Sequence, residues 1–97
     1  MVDATVKGLP AQRVVCSGEV LMQQVGDESV LLDMASEQYF GLDPIGTRIW
    51  NLLQELGEVQ PTFERLCDEY DADPEQIRKD LLDLLRKLSD AGLVQLG

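Results

Sequence analysis

The side chains that most often do chemistry are scarce in this sequence. Among its 97 residues there is no histidine, and there are only two cysteines, Cys16 and Cys67. Without imidazole, the commonest general base and the commonest metal ligand are both missing. The two cysteines match no metal-ligand spacing and read as reduced, inert thiols. Asp68, Glu69, Asp71 and Asp73 crowd together, but the stretch lacks the glycine and the properly spaced terminal glutamate of a calcium loop, and it reads as a solvated acidic bend. No Gly-rich phosphate loop, nucleophile elbow or paired-cysteine motif is present. The expectation is a non-catalytic chain with no cofactor and no metal.

What remains able to act is the backbone. Gln38-Tyr39-Phe40-Gly41 reads as a short strand without charge or proline, the two devices that normally blunt a free sheet edge. Such an edge can accept an extended peptide as an added strand, with alternate side chains entering a groove between sheet and helix. About five backbone hydrogen bonds at ~1 kcal/mol net each would need apolar pockets beside them to offset the ordering of the peptide. A second feature lies further along. On a helix whose apolar stripe centres on Leu81, the 100° advance per residue sets Leu82 to one side, with Arg78, Leu85, Arg86 and Ser89 around it. A leucine flanked by two arginines can receive an apolar side chain and a carboxylate.

The elements that carry these residues are legible from periodicity. Glu19 to Val25, the Gly26-Asp27 turn and Ser29 to Met34 form a hairpin, and a third run, Glu37 to Leu42, places Tyr39 and Phe40 on opposite faces. The middle run is the most apolar and suits a central strand, which leaves the third run at an edge. At Asp43 the period becomes helical. Asp43-Pro44 and Asp73-Pro74 each set a capping carboxylate before a proline at the first helical position. Helices are predicted from there to Gly57, over about 61–70, and over about 74–91, with Gln76 placed to answer the Asp73 cap. Leu93 to Leu96 closes the chain as a short strand. Trp50, one step off the first helix's stripe, reads as core. The sum is an α+β fold, a winged helix-turn-helix-like arrangement of a three-stranded antiparallel sheet followed by three helices.

Composition bounds the partners. Residues 1–17 read as a flexible arm and residues 18–97 as one domain, with no repeat or linker to divide it. The start lacks the pattern of a secretory signal, and no window nears the ~18 consecutive apolar residues of a membrane span, so a cytoplasmic protein without a membrane partner is expected. The net charge of −10 opposes a duplex, which is bound by cations facing phosphates; Asp80, Asp83 and Asp90 interrupt the one candidate recognition helix. No nucleic-acid partner is expected, although a winged-helix regulator and a self-associating module at the bare edge are the rival readings. A monomer or weak dimer is expected.

Taken as a set, Ser29-Val30-Leu31-Leu32-Asp33, Gln38-Tyr39-Phe40-Gly41-Leu42-Asp43, Gly46-Thr47-Arg48-Ile49-Trp50, Tyr70-Asp71-Ala72-Asp73-Pro74 and Leu88-Ser89-Asp90-Ala91-Gly92-Leu93-Val94 resemble the family of the coenzyme PQQ biosynthesis protein D. These are recognition elements of ribosomally made, post-translationally modified peptides, and the match runs from about Val20 to Val94. The resemblance implies that a precursor's leader peptide adds as a strand beside the third strand and lies against the third helix. Carried over, this points to Tyr39, Phe40 and Gly41 on the edge and to Arg78, Leu82, Leu85 and Arg86 on the helix. It also implies partner enzymes that cut or modify the precursor. The sequence is more similar to the stand-alone elements of lasso peptide biosynthesis, which work with a leader protease and an asparagine-synthetase-like cyclase, than to the PQQ protein, whose partner is a radical-SAM enzyme.

Overall fold

A computed structural model of the chain describes residues 13–96. It contains β1 (Val14–Cys16), β2 (Val20–Val25), β3 (Glu28–Asp33), β4 (Gln38–Leu42), α1 (Pro44–Leu56), α2 (Val59–Glu69), α3 (Pro74–Asp90) and β5 (Val94–Leu96). Strands β2, β3 and β4 form an antiparallel sheet in that order, so β3 is central and β4 has one edge with no partner strand among the described residues. The arrangement is α+β, a three-stranded antiparallel sheet followed by three helices.

The flexible arm expected over residues 1–17 needs correction at its end. Val14–Cys16 pairs with β5 in a separate two-stranded ladder, Val14 is buried, and its N–H donates to the Gly57 carbonyl at 2.9 Å. Burial of Val14 against the end of α1 is what orders this stretch. The rest of that expected arm, residues 1–12, lies outside the described residues.

Both aspartate-proline starts cap as their chemistry dictates. Asp43 Oδ1 accepts from the Gly46 N–H at 2.8 Å, and Asp73 Oδ1 accepts from the Glu75 N–H at 3.0 Å. Gln76 does not answer the second cap; its amide donates to Asp80 Oδ1 at 3.0 Å instead. Gly57 leaves α1 in the left-handed region at φ 69°. Helix α2 begins at Val59, two residues before the position expected, because Pro61 falls in the first turn, where a missing N–H forfeits no helical bond.

The helices cover one face of the sheet. Leu31 and Leu42 point to that face and join Ile49, Leu53, Leu81, Leu88 and the fully buried Trp50 in one hydrophobic core. Sheet and helix are also tied by a buried hydroxyl pair, Ser29 Oγ and Thr47 Oγ1, 2.8 Å apart. Neither hydroxyl could be buried cheaply alone. Cys16 and Cys67 are half-buried free thiols, and burial pushes both pKa values up, which keeps them protonated and unreactive at neutral pH.

On the surface, Arg48 Nε donates to Glu69 Oε1 at 2.7 Å and Nη2 reaches the second carboxylate oxygen, joining α1 to the end of α2. This hydrogen bond, with the arginine's charge, holds the Glu69 carboxyl below its ordinary range. A carboxyl depressed in the folded state stabilises above its unfolded pKa and loses that contribution as pH falls through the folded value. Both partners keep solvent contact, so the pair contributes about 0.5 kcal/mol. Glu69→Gln is expected to lower Tm by about 2–4 °C near neutral pH and by nothing in strong acid, where the wild-type carboxyl is protonated too. Thermal unfolding at the two pH values checks this.

Candidate functional site: the free edge of β4 and the groove beside α3

Along β4 the side chains alternate as the register requires. Phe40 and Leu42 turn toward the helices, while Tyr39, 75 % exposed, and Gly41 face outward. Between the inward half of β4 and helix α3 lies an open groove of about 420 Å³. Phe40, Leu42, Ile45, Ile49 and Leu84 give it an apolar lining, and Asp80, Asp83 and Lys87 stand along its helical rim. One end is closed by the start of α1. There Gly46 packs so closely that a Cβ would come within 3.0 Å of Asp43 Oδ1 and 3.3 Å of Leu42 Cδ2. A bare backbone at this position lets the cap close and draws α1 against β4.

The rim carries charge in engaged and free forms. Lys79 Nζ bonds Asp83 Oδ2 at 2.9 Å, which lowers the pKa of the aspartate and raises that of the lysine. Asp80 accepts from Gln76, and Lys87 makes no side-chain ion pair among the described residues.

The residues singled out from the sequence do not all meet here. Phe40 and Gly41 line the groove, and Gln38 and Tyr39 border a small indentation at the other end of β4, beside Ala91 and Leu93. Arg78, Leu82 and Arg86 lie around the outer flank of α3 and line an adjacent depression that shares Asp83 with the groove. Arg78 is bonded there to Glu75 at 2.7 Å. Leu85, 3 % exposed, is in the core and offers nothing to a surface ligand. The helix residues that do face β4 are Asp80, Asp83, Leu84 and Lys87. Leu84 sits at the margin of the apolar stripe centred on Leu81, and the sequence pattern does not single it out. The signal available was only that apolar residues flank that stripe on both sides.

The described residues contain no helix long and apolar enough to cross a membrane. The sequence profile of coenzyme PQQ synthesis protein D (PqqD) matches residues 28–94. The chain belongs to the PqqD family. That match spans β3, the β4 edge and all three helices. No curated protein matches this PqqD-family domain. Among solved structures, it is similar to TbiB1 in complex with the TbiA(beta) leader peptide, at 37 % identity and TM-score 0.77 over 84 % of this chain and 94 % of that one. It also shares the fold of a lasso peptide synthetase B1 complexed with the leader peptide, at 22 % identity and TM-score 0.74 over 86 % of this chain and 98 % of the other.

Proposed function

We propose that this domain is a non-catalytic recognition element that binds the leader segment of a ribosomally made precursor peptide. The leader adds as a strand to the open edge of β4, and the remainder of the precursor is presented to modifying enzymes. The observation that carries this reading is the uncharged, unpaired edge Gln38–Leu42 running beside an apolar groove. Main-chain bonds to such an edge give affinity, and alternate side chains entering the groove give specificity. Membership of the PqqD family and the 37 %-identical relative solved with a leader peptide support the same reading.

In this reading, the backbone of Gln38, Tyr39, Phe40 and Gly41 meets the peptide, and Leu84 with Phe40 receives its inward side chains. Arg78, Leu82 and Arg86 would reach a peptide only where it continues around α3. The enzymes served are a leader protease and an asparagine-synthetase-like cyclase of the lasso type, and the setting is the cytoplasm. The domain acts by raising the local concentration of precursor at those enzymes.

The test is fluorescence anisotropy of the purified domain against labelled leader segments of the precursor peptides encoded beside its gene. Saturable binding of a leader and none of its core half is expected. Failure of every neighbouring leader to bind would overturn the assignment.

A further inference from the structure

The free edge of β4 holds a glycine that nothing among the described residues explains. Gly41 does not adopt the left-handed backbone that favours glycine, and a Cβ built on it would meet no atom within 4 Å. Glycine inside a strand costs stability, and it often marks a bulge, a tight bend or a place where a ligand or another backbone approaches closely. Val30 is Gly41's partner on β3 and sits in the central strand, yet it remains 41 % exposed. Tyr39 stands next along the same outer face of β4.

We propose that Gly41 is a specificity-determining notch. A strand added to β4 turns every second side chain to this outer face, and the one opposite Gly41 lies over the glycine and against Val30, beside the Tyr39 ring. An aromatic side chain fits that role. Cross-strand partners sit about 5 Å apart and neighbouring strands about 4.8 Å apart, so a ring is long enough to cover a glycine and touch the strand beyond, as aromatics do when they cover glycines at sheet edges. The outer face therefore reads the peptide at a position the groove does not. This rests on the strand-addition reading above.

The experiment pairs Gly41→Val with two probes: random 12-residue peptides displayed on phage, and the labelled leader segment. Valine suits a strand and has open space here, so Tm is expected to hold or rise. Wild-type protein is expected to enrich peptides with an aromatic at one fixed position. Gly41→Val is expected to lose that preference and to bind the labelled leader at least tenfold more weakly. A leader whose aromatic is changed to alanine should bind wild type and Gly41→Val alike, which separates loss of the notch from general obstruction of the edge. The same aromatic preference in Gly41→Val, with leader binding within twofold of wild type, would overturn the notch while leaving strand addition intact. A wild-type protein that neither selects peptides nor binds leader removes both readings.

Discussion

Leu84→Glu is expected to weaken leader binding at least tenfold while leaving the domain folded. Leu84 is half-buried at the boundary of core and groove, where it faces Phe40 and Leu42 across the space a peptide would fill. A carboxylate there removes apolar contact surface and adds a third negative charge beside Asp80 and Asp83. A bound peptide would cover that charge without a partner for it, and covering an unpaired charge costs more than losing one contact. A tenfold loss corresponds to ~1.4 kcal/mol, a modest demand on such a change. The informative control is Leu82→Glu on the opposite flank of α3. It faces Arg78 and Arg86 and is expected to bind nearly as wild type does. Anisotropy titrations with a thermal melt of each variant check the pair. Equal loss in both, or loss only in Leu82→Glu, would move the peptide to the other side of the helix.

Trp50→Ala is expected to destabilise the domain by about 3–5 kcal/mol, a large share of the ~5–15 kcal/mol typical of a domain. Trp50 is completely buried, and the helices and the β3–β4 sheet close around it. No local repacking of leucines can fill the volume it would vacate. Its indole N–H has no hydrogen-bond partner among the described residues, so what it contributes is shape rather than polarity. Trp50→Phe keeps much of that volume and removes the unpartnered donor, and it is expected to cost far less. Urea unfolding followed by circular dichroism separates the two variants. A small effect of Trp50→Ala would mean that the core can collapse around the gap.

How much of this could be read from the sequence depended on how local each determinant was. The helix starts at Asp43-Pro44 and Asp73-Pro74 were legible because cap and proline act within one turn. The edge position of β4 followed from three consecutive strands, of which the middle one was the most apolar. Strand β1 was not legible. Val14-Val15-Cys16 shows no usable period, and its partner, Val94–Leu96, lies at the far end of the sequence. The helical side of the groove was less legible for a related reason. Leu82 and Leu84 flank one apolar stripe on opposite sides, and only the packing of α3 against α2, β5 and α1 decides which of them faces the edge. Periodicity gives the phase of a helix about its own axis but not the direction of its neighbours.

The β1–β5 ladder also makes the domain portable. Val14 lies directly opposite Leu96, so the two limits of the described chain are antiparallel neighbours, about 5 Å apart between Cα atoms. Where the ends of a domain emerge side by side, a short linker can close them into a ring, or a host protein can carry the whole unit in a single surface loop. The β4 edge belongs to the other sheet and would stay open in either form. On the proposed reading of that edge, transplanting the unit into an unrelated enzyme would confer capture of substrates tagged with the matching leader.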